Sequence, residues 1–78
     1  MSIEQQVYEI LSNILETPAN AQTALSMSSC PAWTSLAHID IIMSCEETFD
    51  IAFGQEDLPT LTSQEALIAK IAELVNAK

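Results

Sequence analysis

Positively charged residues are scarce in this 78-residue chain. Lys and Arg total two, against eleven Asp and Glu, which gives a formal net charge of −9. Both cations, Lys70 and Lys78, lie near the end of the sequence, and none precedes Lys70. Such an acidic surface repels the phosphates of nucleic acids and the anionic lipids of membranes, so neither is an expected partner. The charge favours proteins with basic surfaces as partners, although a role in solubility alone would explain it equally well.

Aromatic residues are scarce as well, with one Trp, one Tyr and two Phe. The hydrophobic fraction is nevertheless 49%, with 17% charged residues, which is typical of a folded globule and not of a disordered chain. The core is therefore expected to be aliphatic. This length allows one domain, residues 1–78, near the lower limit for folding without disulfides or metal ions.

Two cysteines, Cys30 and Cys45, are too few for a disulfide scaffold. The N-terminal segment has neither the basic residues nor the apolar stretch of a signal peptide. No apolar run approaches the roughly 20 residues that span a bilayer. We therefore expect a cytoplasmic, monomeric protein with free thiols.

A first helix is predicted over about residues 3–15, where apolar residues recur at helical spacing after a capping-box pattern formed by Ser2 and Gln5. The following segment, residues 17–34, is rich in Ser, Thr, Ala, Asn and Pro and is predicted to be a long connection with one loose helical turn near Ala21. Its candidates for burial are Ala21, Ala24, Leu25 and Met27.

The second predicted helix begins at Ser35, with Thr34 as its N-cap, and its apolar pattern continues to Phe49. A short helix over residues 55–58 follows, and a capping-box pattern over residues 62–65 begins the last helix. No segment alternates apolar and polar residues over a useful length, so strands are not expected. The predicted fold class is all-α, a small bundle of three main helices plus one short helix.

The second helix has two different faces when it is drawn at about 3.6 residues per turn. One face carries the residues best suited to the core, which are His38, Ile41, Ile42, Cys45 and Phe49. The other face alternates apolar and acidic residues and is expected to be exposed; it comprises Leu36, Ile39, Asp40, Met43, Glu46 and Glu47. Exposed apolar residues among carboxylates favour a docking surface for a partner with a basic rim. The alternative is a solvated face that the long connection partly covers.

The run Trp33-Thr34-Ser35-Leu36, followed downstream by Glu46-Glu47-Thr48-Phe49, resembles the acyl carrier protein family. In that family a serine lies at the start of the second helix, usually within Asp-Ser-Leu, and the helix ends in Glu-Glu-x-Phe. Phe49-Asp50-Ile51 is similar to the family's helix exit, and residues 61–66 are similar to the entry of its last helix. The likeness runs in register from about Trp33 to Leu74.

The resemblance implies a free-standing carrier with no catalytic activity of its own. The Ser35 hydroxyl would be esterified by phosphopantetheine from coenzyme A, and the thiol of that arm would hold an acyl or aminoacyl group as a thioester. The implied partners are a phosphopantetheinyl transferase, an acyl- or aminoacyl-loading ligase, and acyl-transferring or condensing enzymes with basic docking surfaces. The implied setting is fatty acid, polyketide or related biosynthesis.

Two residues near Ser35 depart from the family pattern. Thr34 stands where the family has Asp, and Ala37 stands where many relatives carry an acidic residue. Threonine still caps a helix. It lacks, however, the negative charge of the family's aspartate, which the resemblance implies is a contact point for the enzyme that installs the arm. These departures favour a specialised pathway over general fatty acid synthesis. The alternative function is a helical interaction module of the same fold that is never pantetheinylated.

Two enzyme-like combinations of residues fail on geometry. Ser35, His38 and Asp40 suggest a hydrolase, but Asp40 is predicted on another face of the helix and no glycine-rich elbow is present. Cys30, His38 and Cys45 lack the paired spacing and the fourth ligand of a zinc site. We therefore expect neither catalytic residues nor a metal.

Trp33, two residues before Ser35, has two interpretations. It could contact the arm or an incoming partner. We favour the other interpretation, in which it closes the long connection onto the bundle.

Overall fold

The computed structural model describes residues 2–20 and 22–77. Three helices form the fold: α1 (Ile3–Leu15), α2 (Ser35–Phe49) and α3 (Gln64–Asn76), with a short 3₁₀ turn at Leu58–Thr60. Across these residues the one β-type pairing is an isolated antiparallel bridge between Ser26 and Ser63. The predicted all-α fold class is confirmed. None of the described helices is long and apolar enough to cross a membrane.

The bounds of α1 agree with the prediction because both ends depend on local chemistry. Ser2 Oγ accepts a hydrogen bond from the Gln5 N–H at 3.2 Å, which satisfies one of the donors that a helix start leaves unpaired. Glu16, the C-cap that follows the helix, has a left-handed backbone with φ 51°. Its apolar side is buried against the other helices through Val7, Leu11 and Leu15.

The predicted start and end of α2 are confirmed as well. Thr34 Oγ1 accepts from the Ala37 N–H at 3.2 Å, and Asp50, the C-cap that follows the helix, lies in the left-handed region with φ 54°. Its core face is the predicted one, with three members buried and two half-buried. The buried members are Ile41, Ile42 and Cys45, and the half-buried ones are His38 and Phe49.

The start of α3 corrects the prediction by one residue, because Ser63 and not Thr62 is the N-cap. Ser63 Oγ accepts from the Ala66 N–H at 3.1 Å. The Thr62 carbonyl is engaged elsewhere, accepting the Met27 N–H at 2.8 Å. The capping-box pattern of Thr62 with Glu65 therefore does not form the cap.

The short helix predicted over residues 55–58 is wrong in position. Residues 55–57 form a turn, closed where Asp57 Oδ2 accepts the Gly54 N–H at 3.1 Å and the Asp57 N–H donates to the Gly54 carbonyl at 3.0 Å. The helical turn is Leu58–Thr60 and includes Pro59, which lies one residue beyond the predicted segment. Proline is favoured in the first turn of a helix because the missing N–H is not needed there.

The long connection is better packed than predicted. Cys30, which is not among the residues expected to be buried, is 7% exposed, and Trp33 is 2% exposed; both belong to the core. Leu25 and Met27 are half-buried as expected, whereas Ala24 is exposed. The predicted turn near Ala21, and the burial of Ala21 itself, lie outside the described residues.

A buried glutamine at the start of α3 holds this connection. The Gln64 side chain is 5% exposed; its Oε1 accepts from Thr23 Oγ1 at 2.8 Å and from the Leu25 N–H at 3.0 Å. Its Nε2 donates to the Asn20 carbonyl at 2.9 Å, and the Gln64 backbone N–H donates to the Leu25 carbonyl at 2.8 Å. The hydrogen bonds of this one side chain thereby hold in place a connection that lacks regular secondary structure.

Candidate attachment and docking site

Ser35 is exposed and is the first residue of α2. The preceding Thr34 takes two N–H groups of the first turn, accepting from Ala37 through Oγ1 and from His38 through its carbonyl at 2.8 Å. The N–H groups of Ser35 and Leu36 have no hydrogen-bond partner among the described residues. The Ser35 hydroxyl thus lies beside two free donors at the positive end of the helix dipole.

This environment fits a phosphodiester on Ser35. Free N–H groups and the positive end of a helix both stabilise a nearby phosphate. No acidic residue occupies the first turn of α2, so no local carboxylate opposes that anion. Thr34 therefore caps α2 without placing a negative charge at the helix start.

The exposed face of α2 carries the docking residues predicted from the sequence. One of them, Glu46, differs from the others in its surroundings. Leu36, Ile39 and Met43 are 77%, 54% and 61% exposed, and they are the large apolar side chains exposed most among the described residues. Asp40 and Glu47 are exposed between them. The face therefore combines apolar contact area with two free carboxylates.

Glu46 differs from the other predicted docking residues. It is half-buried, and its Oε2 accepts the Phe53 N–H at 2.9 Å. That bond fixes the segment that follows Asp50. The Glu46 carboxylate is therefore engaged within the fold, at the margin of the exposed face.

No cation of the described chain neutralises the exposed face of α2. Lys70 is the one Lys or Arg among the described residues, and its Nζ lies 3.6 Å from Asp57 Oδ1 and 3.7 Å from Glu73 Oε2. The carboxylates of Asp40 and Glu47 are left to solvent, which favours contact with a basic surface.

Trp33, two residues before Ser35, is buried, which agrees with the interpretation that it closes the connection onto the bundle. Its Nε1–H donates to His38 Nδ1 at 3.1 Å, and the two ring centroids are 6.1 Å apart. His38 Nε2 lies 2.9 Å from the Leu58 carbonyl oxygen. Both ring nitrogens of His38 are thus engaged, and neither is free to act as a base on Ser35. Sequence reasoning missed Leu58 because it contributes a backbone carbonyl, which leaves no side-chain signal.

The cysteines are both free and buried. Burial, together with the neighbouring Glu46 charge, raises the pKa of Cys45 to about 12. A thiol with so high a pKa is a poor nucleophile at neutral pH. The described residues hold no group of three or more His, Cys, Asp or Glu side chains placed to bind a metal.

No protein-family model matches this chain, and comparison with curated proteins finds no significant match. The features of this chain that bear on function are therefore the Ser35 helix start and the exposed face of α2.

Proposed function

We propose that this protein is a carrier that holds an acyl or aminoacyl group as a thioester on a phosphopantetheine arm attached to Ser35. It presents that group to enzymes of a specialised biosynthetic pathway. The observation that supports this most is the position of Ser35. It is an exposed hydroxyl at a helix N-terminus, and the same helix continues into an exposed apolar and acidic face.

The attachment reaction is a transfer of phosphopantetheine from coenzyme A. Ser35 Oγ forms a bond to the phosphorus next to the pantetheine, and the bond between that phosphorus and the bridging pyrophosphate oxygen breaks. The hydroxyl proton passes to a base of the transferase, and the adenosine bisphosphate half of coenzyme A leaves. The N–H groups of Ser35 and Leu36 stabilise the resulting phosphodiester. The arm, once attached, supplies a thiol that forms thioesters.

Intact mass spectrometry tests the attachment. The protein is incubated with coenzyme A and a broad-specificity phosphopantetheinyl transferase, beside Ser35→Ala and a control, Ser28→Ala, in which another exposed serine is removed. We expect the mass of one phosphopantetheinyl group on the wild type and on the control, and none on Ser35→Ala. An unmodified wild type, or a modified Ser35→Ala variant, would refute the proposal.

Docking is assigned to the exposed face of α2, and charge reversal tests it. Glu47→Lys is compared with Glu4→Lys, which makes the same change at an exposed position of α1. We expect Glu47→Lys to raise the KM of the transferase for the carrier roughly fivefold to tenfold, because a rim charge now repels a basic partner. Glu4→Lys should change it less than twofold. Equal KM values in the two variants, with unchanged helical circular dichroism, would show that docking occurs elsewhere.

The alternative, an interaction module that is never pantetheinylated, has the same exposed face of α2 in its favour. It predicts binding of a basic protein surface that is sensitive to Glu47→Lys and indifferent to Ser35→Ala. The mass experiment distinguishes the two functions directly.

A further inference from the structure

Trp33, His38 and Leu58 form a directional chain of hydrogen bonds. The indole Nε1–H can only donate, so His38 Nδ1, 3.1 Å away, must accept with its lone pair. The Leu58 carbonyl can only accept, so His38 Nε2, 2.9 Å away, must carry the proton. A neutral imidazole has one N–H, and both contacts require it on Nε2. Trp33 therefore selects the one neutral tautomer of His38 that can bind Leu58.

This chain joins three segments around Ser35. Trp33 lies two residues before Ser35 in the connection, and His38 lies three residues after it, in the first turn of α2. Leu58 is the first residue of the 3₁₀ turn. The Trp33 indole is buried at 2% exposure and the contacts are part-buried, so water competes poorly for these groups. The 3₁₀ turn is thereby held beside the helix start that bears Ser35.

We propose that His38, fixed in its Nε2–H tautomer by Trp33, is a positioning residue for Ser35. It keeps the 3₁₀ turn and the start of α2 in one arrangement, so that an enzyme that reaches Ser35 meets both segments as a single surface. The positioning role rests on the proposed attachment at Ser35. Tautomer selection by Trp33 does not, and it can be tested by itself.

Nuclear magnetic resonance of the ring nitrogens tests the tautomer, and it is unambiguous because His38 is the single histidine of the chain. The protein is labelled with nitrogen-15 histidine and studied at about pH 8, where an ordinary imidazole is neutral. We expect the wild type to show the Nε2–H tautomer alone. In Trp33→Phe only the Leu58 contact still favours that tautomer, so we expect a measurable fraction of the Nδ1–H tautomer beside it. An Nδ1–H tautomer or a mixture in the wild type overturns the inference, whether or not Trp33→Phe folds. A folded Trp33→Phe protein that keeps the single Nε2–H tautomer overturns the selecting role of Trp33.

Transferase kinetics test the positioning role with two replacements of His38. His38→Leu fills a similar space without hydrogen bonds, and His38→Gln keeps an N–H donor near the position of Nε2. Loss of the Leu58 bond in His38→Leu should raise the KM for the carrier roughly fivefold while kcat changes less than twofold. His38→Gln should recover most of the wild-type KM. The Ser35 hydroxyl and the helix dipole remain in both variants, so the chemical step should not change.

A thermal melt of each variant establishes that it is folded at the assay temperature, which separates positioning from stability. A folded His38→Leu protein with the wild-type KM overturns the positioning role. A His38→Gln protein that is as impaired as His38→Leu also overturns it. Absence of modification in the wild type overturns the proposed function and the positioning role together, whereas the tautomer spectrum still decides the role of Trp33.

Discussion

Removal of the Gln64 side chain should destabilise the protein more than any other change of a polar residue to alanine. Gln64→Ala deletes an amide that bonds to two backbone groups of the connection, the Leu25 N–H at 3.0 Å and the Asn20 carbonyl at 2.9 Å. It also deletes the acceptor for the Thr23 hydroxyl. The connection then keeps its backbone bonds to Thr62 and Gln64 but loses the side-chain bonds of Gln64.

The size of the stability loss depends on which polar groups are left without a hydrogen-bond partner. The Thr23 hydroxyl can still donate to the Asn20 carbonyl at 2.9 Å, so losing its bond to Gln64 lowers the stability only a little. The Leu25 N–H has no replacement partner in a part-buried site, and a stranded donor costs about 1–3 kcal/mol. Adding about 1 kcal/mol for the bond that the Asn20 carbonyl loses gives about 2–4 kcal/mol. The free energy of unfolding of a chain of this size is roughly 4–12 kcal/mol, so the change removes a large share of it.

Urea unfolding followed by Trp33 emission and by far-ultraviolet circular dichroism measures this loss. Trp33 is the single tryptophan and lies at the end of the connection, so its emission reports on the connection while circular dichroism reports on the helices. The control is Gln5→Ala, an exposed glutamine in the first turn of α1, which should change stability by less than about 0.5 kcal/mol. A Gln64→Ala loss no larger than that of Gln5→Ala would refute the argument that Gln64 holds the connection.

Two further predictions concern a buried thiol and a helix end. Because burial raises the pKa of Cys45 to about 12 from 9.0, the unfolded chain releases its thiol proton above about pH 9 while the folded protein keeps it. Stability should therefore fall by about 1.4 kcal/mol per pH unit between roughly pH 9 and 12 in urea titrations, and a slope that persists in Cys45→Ala would contradict this origin. Glu16→Gly should raise stability by about 1 kcal/mol in thermal melts, since Glu16 ends α1 at φ 51°. The same change at Glu9, inside α1, should lower stability by about as much, and equal signs would contradict the reasoning.

The helix starts at Ser2 and Thr34 could be predicted because each cap is a bond between residues three apart in sequence. The start of α3 could not be predicted in the same way. Thr62 and Ser63 are both good caps, and their choice is made by distant residues, since Met27 binds the Thr62 carbonyl and Leu25 binds the Gln64 N–H. Non-local hydrogen bonds of this kind leave no periodic signal in the sequence.

The candidate site could be predicted in part for a similar reason. The exposure of Leu36, Ile39 and Met43 follows from helical phase once the opposite face enters the core. The bond from the Phe53 N–H to Glu46 depends on how the chain reverses after α2, and no pattern within the helix indicates it. The link between His38 and Leu58 also joins residues 20 positions apart through a backbone atom.

The rotation of α2 explains why apolar residues remain in water on this protein. Turning the helix so that Leu36, Ile39 and Met43 entered the core would carry Asp40 and Glu47 inward with them. Burial of an unpaired carboxylate costs several kcal/mol, more than the roughly 1.5–3 kcal/mol gained for each large apolar side chain. The one described cation, Lys70, is already engaged by Asp57 and Glu73 and cannot compensate. The two carboxylates therefore fix the helix in the orientation that exposes its apolar residues. The carboxylates that we propose to attract a basic partner therefore also keep the apolar residues of α2 exposed for contact with that partner.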